Sequence, residues 1–128
     1  MKLKVILIIS VVYMALIGIG HLFAPVAMSA GAVPADASSG LIAFLRHYAA
    51  LFIAIAVMNR MARNAEPSTA RTAIVVANIL VFSIGAILDV LAVISGAGTV
   101  GLVPASMNSV LAIAFFWAAR MSTSVKTS

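Results

Sequence analysis

From Val5 to Ala24 the chain runs through twenty residues whose only polar interruptions are Ser10, Tyr13 and His21, and Pro25 closes the run. At 1.5 Å per residue such a helix is about 30 Å long, the thickness of a bilayer's hydrocarbon core. Lipid offers no hydrogen bonds to a backbone, so an apolar stretch of this length is restricted to a helix that satisfies itself. Three further runs follow: Leu41 to about Met58, Thr72 to about Ile94, and a shorter one over Ala105–Ala119. Fifteen residues reach only about 22 Å. The last helix is therefore expected to start earlier, at Val103, with Pro104 in the first turn, where its missing N–H costs nothing, and to continue to Met121. Ser38 or Ser39 is placed to cap the second helix, and Glu66-Pro67-Ser68 reads as a helix stop followed by a new cap.

These runs predict an all-α fold class: a polytopic membrane four-helix bundle of one transmembrane domain, 1–128, with helices at approximately 5–24, 41–58, 72–94 and 103–121. Composition agrees, with 64% hydrophobic and 9% charged residues against roughly half and a quarter in soluble domains. A count of 0 cysteines excludes disulfides, thiolate metal sites and thiol–disulfide exchange. No Gly-rich phosphate loop, Ser-His-Asp spacing, carboxylate pair or HExxH helix is present. No catalytic chemistry is identifiable, and hydrolase and nucleotide-binding functions have no support.

A formal charge of +5 would point to nucleic acid in a soluble protein, but in a bilayer it first reports orientation. Lys2 and Lys4 precede the first span, Arg60, Arg63 and Arg71 lie between the second and third, and Arg120 and Lys126 follow the fourth. The connections Pro25–Gly40 and Ser95–Val103 carry no basic residue. The positive-inside rule then places both termini and the middle loop in the cytoplasm, in the inner membrane, with no nucleic-acid partner. Trp117 fits the inner aromatic belt. A competing reading, a signal peptide cleaved near Ala30-Gly31-Ala32, is disfavoured because the apolar run exceeds the usual ~7–15 residue core.

An ionisable group at the bilayer centre costs about 2.5–3.5 kcal/mol on insertion scales. His21, Arg46, His47 and Asp89 are the ionisable groups inside the spans. With this topology they fall, together with Asn108, in the outer third of the membrane, so that all four helices bring a polar side chain to a similar depth. Two readings stay open. In one, an Arg46–Asp89 ion pair, with His21, His47 and Asn108 completing hydrogen bonds, fixes helix register. In the other, the five line an outward-facing pocket for a small polar ligand, a proton or a quinone head group. Tyr13 and Tyr48 would either cap this network or sit at lipid. On the third span Asn78, Gly85, Asp89 and Gly96 share one sector of the helix, which is expected to face protein. Gly18, Gly20, Ala50 and Ala54 are expected to serve close helix packing.

Two histidines on different helices also raise bis-histidine haem ligation, and a zinc site would need a third good ligand. No cofactor is predicted, with haem and quinone left open. Gly18-Ile19-Gly20-His21-Leu22-Phe23-Ala24-Pro25 ending the first helix, Leu45-Arg46-His47-Tyr48 near the start of the second, a glycine-bearing third helix and an aromatic fourth ending at Arg120 resemble small four-span bacterial membrane proteins of the DoxX-like group. Where that group's pattern has glycines in helix two, this chain has Ala49-Ala50. The resemblance implies a tilt toward quinone or redox partners. Three function classes follow: a membrane protein whose polar cluster binds a small molecule or stabilises the bundle; an accessory subunit of a quinone-linked or other redox membrane complex; and a small efflux carrier. The last is disfavoured because the first helix has no carboxylate. Partners are the lipid bilayer and either another membrane protein or a second copy.

Overall fold

The computed structural model describes residues 3–29, 32–96 and 101–124. It contains α1 (Leu3–Phe23), α2 (Pro25–Met28), α3 (Ser39–Ala62), α4 (Thr69–Ile94) and α5 (Leu102–Ser124). The all-α class and four long helices are as the sequence predicts, and all four are long and apolar enough to cross a membrane. Lys2, Lys126 and the Ala30-Gly31 part of the alternative cleavage segment lie outside the described residues.

Each helix end has a local cause. Pro25 stops α1 and then opens α2 from its first position, because proline lacks the N–H that a continuing helix requires but is tolerated in a first turn. α3 begins where Ser38 Oγ accepts from the Leu41 N–H at 3.3 Å. In α4 the extended Ser68 places Oγ 3.2 Å from the Arg71 N–H, the cap expected after Pro67. α3 runs four residues past its expected end at Met58, and α4 starts three residues before its expected start at Thr72. Polar and charged residues there extend hydrogen-bonded turns beyond the apolar run, which hydropathy alone does not register. Gly96 terminates α4 with φ +94 and is exposed, with nothing within 4 Å of where a Cβ would sit among the described residues. It is a helix stop, not part of the packing stripe that the sequence assigned to it.

The chain divides into two compact units, Ile8–Arg60 and a second composed of Met1–Leu7 with Met61–Ser128. In the first, Gly18 brings α1 against α3. A Cβ at Gly18 would lie 2.7 Å from Ile53 Cγ1 and 3.1 Å from both the Ala49 carbonyl oxygen and the Ile53 nitrogen. Ala49 and Ala56 are buried, whereas Ala50 and Ala54 are exposed, so the small-residue face of α3 is rotated from the expected one. Gly20 meets the Met28 side chain, not a helix backbone. In the second unit, Phe82 of α4 and Phe115 of α5 are fully buried and stack at 5.8 Å with their planes 11° apart. Asn78 lies one turn away, 1% exposed, and its Nδ2 donates to the Ile74 carbonyl at 2.8 Å.

Large aliphatic and aromatic side chains are exposed along every long helix, among them Leu16, Leu51, Ile87 and Ile113, with Phe23 77% exposed. In water that surface would be far larger than a monomer tolerates. Against hydrocarbon it is the ordinary outer surface of a polytopic membrane protein.

The close approach at Gly18 predicts that Gly18→Val costs about 1–3 kcal/mol of stability. Gly20→Ala meets only the flexible end of Met28 and is expected to be near neutral. Reversible unfolding of both variants in mixed detergent micelles checks the contrast.

Candidate functional site

The unit of α4 and α5 contains one carboxylate deep in a span. Asp89 lies about five residues from the C-terminal end of α4, and its Oδ2 accepts a 2.8 Å hydrogen bond from Asn108 Nδ2 on α5. The geometry depends on two glycines. A Cβ at Gly85, one turn before Asp89, would stand 2.9 Å from the same Asn108 Nδ2, so a larger residue there would require the amide to shift. At Gly101 a Cβ would lie 2.8 Å from Val93 Cγ2 and 3.3 Å from the Asp89 carbonyl oxygen. The start of α5 is thereby held against the turn that carries the carboxylate. Asp89 and Asn108 are both half-buried. Among the described residues of this unit Asp89 Oδ1 has no hydrogen-bond partner, and it and the Asn108 amide oxygen are both acceptors.

The other three predicted residues belong to the Ile8–Arg60 unit. His21 is half-buried in the last turn of α1. Its Nδ1 lies 3.0 Å from the Ile17 carbonyl oxygen, and its ring packs on Phe52 at 6.0 Å. His47 is exposed and makes the equivalent contact, Nδ1 to the Ala43 carbonyl oxygen at 2.9 Å. A carbonyl only accepts, so in each neutral ring Nδ1 carries the proton and Nε2 is the free acceptor. Phe52 and His47 are five residues apart, about 140° around α3. The two imidazoles therefore occupy different sides of that helix, whereas bis-histidine ligation of one haem requires both in one cavity. Among the described residues no group of three His, Asp or Glu is placed to hold a metal.

Arg46 is exposed and makes no ion pair with Asp36, the one carboxylate of its unit. Direction distinguishes it from Asp89. Side chains on a helix tilt toward its N-terminus. Arg46 occupies the N-terminal third of α3 and so leans toward the nearer helix end. Asp89 occupies the C-terminal third of α4 and leans toward the middle of its helix, with too short a side chain to return. Beside Arg46, Tyr48 is exposed, its ring edge-on to Phe52 at 4.9 Å and stacked with Phe44 at 6.4 Å.

One buried polar contact was not anticipated in the sequence. Asn59 Nδ2 donates to Ser10 Oγ at 2.7 Å, and both residues are 0% exposed. Asn59 lies just beyond the expected end of its helix. Extending that helix by one turn would have placed it on the face of Ala49 and Ala56, opposite α1.

The Gly85 geometry makes a specific prediction. Gly85→Ala is expected to displace the Asn108 amide and cost as much as Asn108→Ala, and the double variant to cost little more than either. A double-mutant cycle between Asp89→Ala and Asn108→Ala is expected near the membrane average of about 0.6 kcal/mol. Additive costs for Gly85→Ala and Asn108→Ala would show that the glycine does not act through the amide.

Comparison with known proteins returns nothing for this chain: no family model, no curated protein and no solved structure matches it.

Proposed function

We propose that this multi-pass membrane protein resides in the cytoplasmic membrane with both termini inside, and binds a small polar molecule from the outer side. Asp89 and Asn108 supply the acceptors. The observation that carries this reading is the Asn108–Asp89 hydrogen bond over Gly85. An intramembrane carboxylate is costly and marks a ligand or proton path more often than packing, and membrane polar contacts stabilise too little to justify one by stability alone. The arrangement suits a ligand that presents a hydroxyl or amine to Asp89 Oδ1. A quinol head group is one such donor, consistent with the redox tilt of the DoxX-like resemblance. The carboxylate accepts the donor's hydrogen bond and so positions it, and no step beyond binding is assigned.

The test is purification in mild detergent, with an absorption spectrum and mass spectrometry of retained small molecules, for the parent protein and Asp89→Asn. The amide variant keeps the shape and still accepts from Asn108. A retained molecule that falls about tenfold in Asp89→Asn at unchanged protein yield is the expected result, equivalent to losing a charge-assisted hydrogen bond. Equal retention, or a collapse in yield with no change in ligand per protein, would assign the pair to structure instead.

A further inference from the structure

Arg46 is a cation on an exposed position of a membrane-spanning helix, and the remainder of its unit does not neutralise it. α3 has 24 residues, about 36 Å, against a hydrocarbon core about 30 Å thick. The apolar run begins at Leu41, which places the Arg46 backbone about 7.5 Å below that boundary. A guanidinium exposed to hydrocarbon at this depth would be strongly disfavoured, but the side chain leans toward the nearer helix end and is long enough to bring its charge to the interface. The anion present there is the phospholipid phosphate, which an arginine fork matches in charge and geometry. The neighbouring groups fit the same level. Phe44 and Tyr48 are 65% and 46% exposed, as aromatic residues of a membrane interface are. His47 has its Nδ1 2.9 Å from the Ala43 carbonyl oxygen.

We propose that exposed Arg46, flanked by Phe44 and Tyr48 on α3, is a binding position for the phosphate of a phospholipid in the leaflet next to the 24–38 connection. This inference is independent of the small-molecule reading of Asp89, because it uses only the Ile8–Arg60 unit. The position requires a phosphate and an acyl surface together. It therefore favours phosphatidylglycerol and phosphatidylcholine over diacylglycerol, which has the same tails and no phosphate.

The experiment is native mass spectrometry of the full chain released from mild detergent after exchange with each of these three lipids, and with inorganic phosphate as competitor. The parent protein is expected to retain either phospholipid about fivefold more than diacylglycerol, the scale of one basic residue at a lipid surface. Arg46→Gln is expected to lose that preference. Arg46→Lys, which keeps the charge but not the fork, is expected to retain part of it. Arg120→Gln, which removes a charge where Arg120 already lies over the Phe116 ring at 5.9 Å, is expected to leave the preference unchanged, and circular dichroism verifies that each variant is folded. Equal phospholipid preference in Arg46→Gln and the parent overturns the proposal. Full displacement of the phospholipid by millimolar inorganic phosphate also overturns it, in favour of a free-anion site, as does a dimer mass lost in Arg46→Gln, in favour of a second copy. Asp89→Asn is expected to keep the lipid preference, so failure of either proposal is read separately.

Discussion

In a bilayer, apolar side chains gain nothing by turning away from lipid, because the surroundings are as apolar as they are. Helices there associate through close contact and hydrogen bonding, and both units of this chain are arranged accordingly. Gly18 allows α1 to reach the backbone of α3, where dispersion contacts are densest. The stacked Phe82 and Phe115 rings perform the same function between α4 and α5. Each packed face also carries a polar contact within it: Ser10 with Asn59 in one unit, Asn108 with Asp89 in the other. Large apolar residues such as Ile84, Ile87 and Leu88 are left to face outward, the reverse of a soluble core.

The sequence made the long helices legible because their signal is local. Twenty apolar residues, a proline after them and a serine before the next run are read without knowledge of what packs on what. The Ser38 and Ser68 caps and the break at Pro25 were legible for the same reason. Helix extension past Met58 was not, since Asn59 and Arg60 lower hydropathy while continuing the backbone ladder. That omission hid the buried Ser10–Asn59 contact. Choosing Ala50 and Ala54 over Ala49 and Ala56 was a second limit of the same kind. An alanine-rich helix shows small residues on several faces, and only the neighbour decides which is used. Gly96 illustrates the converse, since its place in the helical repeat matched Gly85 and Asp89 although it lies past the last turn.

Of the five polar positions singled out from depth, the geometry brings Asp89 and Asn108 together, with Gly85 one turn before the carboxylate leaving room for the amide. Depth alone treated Arg46 and Asp89 as equivalent charges. Helix polarity separates them. Each side chain leans toward the N-terminus of its own helix, so a residue near an N-terminal end is carried toward the interface and one near a C-terminal end is carried inward.

The consequence is an asymmetry in what each group requires. Arg46 is long, flexible and directed toward the nearer surface, so headgroups can meet its need for an anion, and its presence does not by itself demand a partner within the chain. Asp89 is short and directed inward, and the protein has supplied it with an amide donor and two glycines that secure that donor's approach. An amide hydrogen bond solvates a carboxylate only in part, and among the described residues of the unit Oδ1 has no partner. Of Arg46 and Asp89, the carboxylate is therefore the one whose surroundings within the chain are built for it.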